Sequence, residues 1–293
     1  MNYINQAPKY FVQQSAAFRK KFASTDELLD DGRWIIQPKY DGVHVMIHTE
    51  GEGYARTRTG EAVLSVPHLI KEAIQSFGPG FVVFCEAYMH DQEHAAINGA
   101  VRRKSPQPDL IGIVYDIVTQ SGFDYGNDPT HYEERLSYIN TALRGGSLEP
   151  VKCIEELPND TTVMQFAEDM VASGTFDGII LRDLDATWKR GAAKDGEVIK
   201  VKPILSLDLL VTGHKVEHKP TKLGGYITVT YKGVESNVGS GLTQGILQAS
   251  TQGVKAAGRI AEVECMGITP YGKLREPRFK SFRYDTEQEE MKG

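Results

Sequence analysis

Apolar positions along this chain repeat on two periods, and the balance between them changes near Pro203. From Trp34 to about Pro203, strand-like runs such as Phe81-Val82-Val83-Phe84 and Leu110-Ile111-Gly112-Ile113-Val114-Tyr115 alternate with stretches of helical period at residues 131–143 and 162–173. This mixture predicts one domain of helices and strands. Beyond Pro203 the pattern becomes short strands separated by Gly-rich turns, predicted over residues 208–215, 226–231 and 259–266. So few residues of that kind predict a small β-barrel. Before Trp34 the spacing predicts an amphipathic helix over residues 11–22 and a shorter one over 24–31, capped by Ser24 or Thr25. The expectation is an α+β chain of two domains, residues 1–205 and 206–293, joined near 203–207 by a segment short enough to act as a hinge.

Composition narrows this picture. The 293 residues, 40% hydrophobic and 25% charged, suffice for two buried cores. No apolar stretch approaches bilayer-spanning length, and Met1-Asn2-Tyr3-Ile4-Asn5-Gln6 lacks the basic-then-apolar order of a secretory signal. A cytoplasmic location without membrane attachment is expected. Cys85, Cys153 and Cys265 are widely separated and contain no C-x-x-C pairing, which argues against a disulfide framework and a structural zinc site. The net charge of −6 runs against nucleic-acid binding, which favours a basic surface. Its distribution changes that reading. From Leu207 onward twelve Lys/Arg stand against ten Asp/Glu, and the preceding part carries twenty-one against twenty-nine. In the second part Lys273, Arg275, Arg278, Lys280 and Arg283 are interleaved with Tyr271, Phe279, Phe282 and Tyr284, ahead of the acidic Glu287-Gln288-Glu289-Glu290. Such mixing suits phosphate contacts and equally suits a solvated edge strand.

Candidate chemistry centres on Lys39-Tyr40-Asp41-Gly42-Val43, between the apolar run Trp34-Ile35-Ile36 and the alternating stretch Val43-His44-Val45-Met46-Ile47-His48. The flanks put a lysine at a strand-turn-strand junction, where desolvation or neighbouring cations can make it a nucleophile. Asp-Gly also reads as an ordinary hairpin turn beside a solvated lysine. Five further clusters fall at predicted strand ends. The arginines of Arg56-Thr57-Arg58-Thr59-Gly60 can hold a phosphate. Glu86 ends an apolar strand and can accept from a ribose hydroxyl or orient a cation, and Tyr115 can stack on a purine. Asp177 and Arg182 bracket a buried strand, and Asp177 suits a hard Mg²⁺ ion. Lys200 and Lys202 share one side of a strand, where an anion between them would relieve their repulsion.

In order and spacing these clusters resemble the covalent nucleotidyltransferase superfamily, and within it the small bacteriophage-type ATP-dependent DNA ligases, over nearly everything from Trp34 to Asp285. The matching residues are Lys39 in Lys-Tyr-Asp-Gly, Arg58 in Arg-Thr-Gly, Glu86, Tyr115 in Tyr-Asp, Asp177 in Asp-Gly-Ile-Ile, and Lys200 and Lys202 in Lys-Val-Lys-Pro. Thr187-Trp188-Lys189-Arg190-Gly191 and the stretch from Leu274 to Asp285 point to the ligases rather than mRNA capping enzymes. Four positions depart from the pattern: His44 replaces a usual arginine, Asp177 a glutamate, Arg182 a common lysine and Phe84 an acid. The segment Arg283-Tyr284-Asp285-Thr286 also lacks a closing lysine.

The resemblance implies a nucleotidyltransferase (adenylation) domain of antiparallel sheets followed by an OB-fold barrel. It implies ATP and Mg²⁺ or Mn²⁺ as cofactors, with nicked duplex DNA bound by an enzyme working as a monomer. Lys39 would be the nucleophile that carries AMP, with Lys200, Lys202 and Arg283 stabilising the transition state. Arg58, Glu86, Tyr115, His44, Arg182 and the two lysines would bind nucleotide, and Asp177 and Glu86 the metal. An RNA ligase, a capping guanylyltransferase and a non-catalytic single-strand-binding barrel protein are the alternatives.

Overall fold

The computed structural model describes residues 13–14, 16–17, 29, 32–158, 161–192, 197–218, 220–251, 256–269 and 271–283. The chain divides into two compact units, residues 1–202 and 203–293. In the first lie strands β1 (Gln13–Gln14), β2 (Ala16–Ala17), β3 (Trp34–Tyr40), β4 (Val43–His48), β5 (Tyr54–Thr57), β6 (Phe81–Tyr88), β7 (Ile111–Thr119), β8 (Asn127–Asp128) and β9 (Leu148–Pro150). They are followed by β10 (Phe176–Asp183), β11 (Trp188–Lys189), β12 (Gly191–Ala192) and β13 (Val198–Val201). Its helices are α1 (Pro67–Phe77), α2 (His94–Val101), α3 (Gln120–Tyr125), α4 (Tyr132–Ala142) and α5 (Val163–Ala172).

Two mainly antiparallel sheets carry this unit, in the orders β2-β13-β10-β3 and β5-β4-β6-β7-β9. The period of two along β3 decides what each face does. Trp34 and Ile36 enter a core with Ile179, Leu181, Ile199 and Val201 of the neighbouring strands and with Val163 and Ala167 of α5. Ile35, Gln37 and Lys39 therefore take the opposite face, and Ile35 joins the larger core that α1, α2 and α4 build over the second sheet. The amide of Gln165 donates to Thr162 Oγ1, which caps α5 and fixes where it begins.

The Asp41-Gly42 step is not a hairpin turn. β3 pairs with β10, whereas β4 pairs with β5 and β6, so the chain crosses between sheets at this dipeptide. A side chain at position 42 would collide with the Ala87 carbonyl and with Glu86, which is why glycine stands there. The second Asp-Gly pair is not a turn either. Phe176 faces Tyr40 and Ile179 faces Pro38, so Asp177 and Gly178 together form a bulge opposite the single residue Lys39. In the same way Phe84 faces Asp116 and Cys85 faces Val114, which makes Tyr115 the extra residue of a bulge in β7.

Residues 11–22 depart from the predicted helix wherever they are described. Ala16 and Ala17 pair with Ile199 and Lys200, and β1 pairs with β12, so tertiary strand pairing overrides the helical spacing. Of residues 24–31 only Leu29 is described, and it is helical; Ser24 and Thr25 lie outside the described residues.

The second unit holds β14 (Leu205–His218), β15 (Leu223–Tyr231), β16 (Val234–Val238), α6 (Gln244–Thr251), β17 (Ile260–Cys265) and β18 (Arg278–Arg283). They form one antiparallel sheet in the order β16-β15-β14-β17-β18 around a core that includes Val211, Val229, Val263 and Phe279. The predicted barrel is not closed by a ladder among the described residues. Its two edges meet only at the Ser240–Arg278 bridge, where the Phe279 amide donates to the Ser240 carbonyl at 2.9 Å, and where the Leu274 amide donates to Ser236 Oγ at 3.0 Å. Gly241, at φ +87°, lies so close to the Phe279 backbone that any side chain would break this junction.

Gly178, at φ +124°, packs so tightly that a Cβ would meet the Val201 carbonyl, while Gly174, at φ +80°, faces open space. Gly178→Ala is therefore expected to lower the unfolding free energy by about 3 kcal/mol and Gly174→Ala by about 1 kcal/mol, read from urea midpoints.

Candidate active site

The crossing at Asp41 and the bulge at Asp177 bring three charged side chains together. Lys39 Nζ donates to Asp177 Oδ2 at 2.9 Å, and Lys202 Nζ stands 2.5 Å from the same oxygen. The Asp177 side chain is buried, with 6% of its surface exposed. Burial by itself raises a carboxyl pKa, but the two ammonium groups overcome it and hold Asp177 below the usual carboxylate range. Lys200 stands opposite Ile180 on β13, and strand alternation puts it on the side shared by Lys202.

Lys39 also lines a cavity of about 190 Å³ between the two sheets. Gln37, Lys39, Ile180, Arg182 and Val198 line it from the first sheet, and Phe84, Glu86, Ile113, Tyr115 and Asp116 from the second. The β7 bulge is what lets the consecutive residues Tyr115 and Asp116 both reach it. Burial pushes the Glu86 carboxyl up to about 7, an effect that Lys39 opposes and Asp41 reinforces. Burial also lowers the His44 imidazole to about 3, with Arg58 adding to the effect, and raises the Tyr115 phenol well above its ordinary value. Both are therefore neutral near pH 7, and the Tyr115 hydroxyl and His44 Nδ1 share a hydrogen bond. Arg58 itself is exposed in the turn after β5.

Arg182 lies at the wall of the cavity with its charge already matched. Its Nη2 is 2.6 Å from Asp116 Oδ2, and its guanidinium stacks 3.8 Å above the Tyr132 ring. Arg135 Nε reaches the other Asp116 oxygen at 2.7 Å. Burial of Asp116 is outweighed by these two cations, which keep its carboxyl low. The Tyr132 hydroxyl donates to the Tyr115 carbonyl at 2.9 Å and accepts from Gln37 Nε2 at 2.6 Å. Gln37, Asp116, Tyr132 and Arg135 were not singled out from the sequence. Gln37 had a signal, being two residues before Lys39 on the same strand face; Arg135 and Tyr132 had none, because their partners are remote in sequence.

A hard divalent cation fits this site only in part through protein groups. No cluster of three or more His, Cys, Asp and Glu exists among the described residues. Asp177 and Glu86 suffice for an ion that completes its shell with phosphate oxygens and water, the usual habit of Mg²⁺. Arg283 belongs to the second unit, where it pairs with Asp208 at 3.0 Å and Glu262 at 3.4 Å. Tyr284, Asp285, Thr286 and the acidic residues 287–290 lie outside the described residues. No described helix is long and apolar enough to cross a membrane.

Comparison with solved structures shows the same fold in several ligases. A structure named Pmar-Lig_PreS3 matches with a TM-score of 0.72 at 16% identity, covering 92% of this chain and 67% of its own. One from a structure–function analysis of Lig E DNA ligases matches with a TM-score of 0.71 at 17% identity, covering 93% and 98%. The ATP-dependent DNA ligase of bacteriophage T7, in complex with ATP, matches with a TM-score of 0.55 at 18% identity, covering 93% and 98%. Comparison with curated protein sequences finds no match. The family model described as ATP dependent DNA ligase domain matches residues 14–202, the stretch that contains Lys39, the Asp177 bulge and Lys202, and the chain belongs to that family.

Proposed function

We propose that this ATP-dependent DNA ligase seals nicks in duplex DNA through an AMP carried on Lys39. The observation that carries the residue assignment is the single carboxylate, Asp177, held between Lys39 and Lys202 beside a cavity that Lys39, Glu86 and Tyr115 line. Lys39 Nζ attacks the α-phosphorus of ATP, an N–P bond forms, and the bond to pyrophosphate breaks. The proton of the attacking ammonium has an acceptor within reach in Asp177 Oδ2, its described hydrogen-bond partner. Lys202, already beside that oxygen, and Lys200 stabilise charge building on the phosphate oxygens. Tyr115 supplies a face for the base, and Glu86 accepts from the ribose. Asp177 and Glu86 would hold Mg²⁺ or Mn²⁺, which when bound neutralises charge on the phosphates.

In the second step the 5′-phosphate of the nick displaces Lys39 from the AMP phosphorus. The 3′-hydroxyl then attacks the DNA-adenylate and releases AMP. We assign residues 1–205 to the adenylation domain and 206–293 to an OB-type domain. Five strands with a helix between the third and fourth support that assignment. For Arg283 to orient pyrophosphate it must exchange Asp208 and Glu262 for the nucleotide, a switch that a hinge near 203–207 would permit.

Incubated with ATP and Mg²⁺, the purified protein is expected to gain the mass of one AMP, and GTP or the Lys39→Ala variant to give none. An adduct with no sealing of nicked DNA, but sealing of nicked RNA, would replace the DNA acceptor. Because phosphate contacts dominate, affinity for nicked DNA should fall roughly 10³-fold between about 50 and 200 mM salt. A carboxyl with a pKa near 7 gives the stronger, charge-assisted hydrogen bond only when ionised above that value, so the KM for ATP should rise roughly tenfold as pH falls from about 8 to about 6. The Glu86→Gln variant should lack that part of the pH dependence.

A further inference from the structure

His44, Phe84 and Tyr115 form an uncharged assembly in the wall of the nucleotide site. His44 faces Glu86 across the β4–β6 ladder, and Met46 faces Phe84, so His44 and Phe84 are diagonal neighbours on one sheet face. Their rings stack with centroids 6.1 Å apart and planes inclined by 28°. Phe84 is backed in turn by Trp188, at 5.6 Å and 20°. The Tyr115 ring lies 5.9 Å from His44 and its hydroxyl is hydrogen-bonded to Nδ1.

His44 is neutral, so its imidazole carries one proton and keeps this contact with the phenol whichever of the two donates. Nε2 is buried and has no hydrogen-bond partner among the described residues, so Nδ1 carries the hydrogen bond that ties the imidazole to its surroundings. A bulge residue such as Tyr115 also lacks the ladder constraints that hold its neighbours, so something besides the backbone must hold its ring.

We propose that His44 is a positioning residue, which holds the Tyr115 ring as a preset platform for the nucleobase through the hydrogen bond between Nδ1 and the phenol while stacked on Phe84. The inference rests on Tyr115 lining the site for the base, as the proposed function has it. The position where ligases of this pattern carry a charged side chain thus acts here through neutral hydrogen bonding, which avoids a second cation next to Arg58.

The test is the steady-state ATP–pyrophosphate exchange that reversible adenylation of the enzyme supports, with KM for ATP and kcat measured separately, in Tyr115→Phe, His44→Leu, the double variant and His44→Asn. Tyr115→Phe and His44→Leu should each raise KM roughly fivefold with kcat within about twofold of the parent, and the double variant should be no worse than either single one. Asn keeps a hydrogen-bonding group near the position of Nδ1, so His44→Asn should recover most of the lost affinity. Additive effects, an unchanged KM in Tyr115→Phe, or equal losses in Asn and Leu variants would overturn the proposal. Tyr115→Phe removes one oxygen and keeps the fold testable if His44→Leu does not fold. Failure of the parent protein to form any AMP adduct would instead overturn the ligase reading beneath it.

Discussion

Two ammonium groups on one carboxylate oxygen form the arrangement around which the first unit is organised. Lys39 and Lys202 would repel each other at this separation, and Asp177 between them makes the cluster tenable in a half-buried place. That carboxylate is where it is because β10 carries one extra residue against β3, and the bulge in turn requires a glycine at 178. A shorter carboxylate than the family pattern carries still spans to both lysines, because the bulge pushes the backbone of Asp177 toward Lys39. The Asp41-Gly42 crossing completes the geometry by delivering Lys39 at the seam of the two sheets rather than at the tip of a hairpin.

Around this cluster, charge is either matched or absent. Asp116 is deep in the structure and sits between Arg135 and Arg182, so each of its oxygens has a guanidinium. His44 and Tyr115 are kept neutral by burial, and Glu86 is the group left close to its titration point near neutral pH. The result is a cavity whose buried wall is electrically settled, with the Lys39–Asp177–Lys202 cluster beside it.

The second unit shows the same economy on its surface. Lys280 is bound to Glu264 at 3.1 Å, and Arg283 to Asp208 and Glu262, so several of its basic groups are already paired along β17 and β18. Arg259 stacks 3.9 Å over Phe282, which holds another cation against the sheet.

The sequence by itself determined the elements and the chemistry they carry. Apolar periodicity located α4, α5 and the strands bearing Glu86, Tyr115 and Asp177, since burying one face of an element leaves its mark every second or every third to fourth residue. Residue type and order marked Lys39, Asp177 and Lys202 as a group. Only tertiary structure decided that both Asp-Gly pairs are a crossing and a bulge rather than turns, because that depends on which strands pair. Likewise Gln13–Gln14 and Ala16–Ala17 became strand because of partners nearly two hundred residues away. The matching of Asp116 to Arg135 and Arg182, and of His44 to Tyr115, was equally hidden: contacts between remote positions leave no local period, and burial, which sets their charge states, exists only once the sheets have packed.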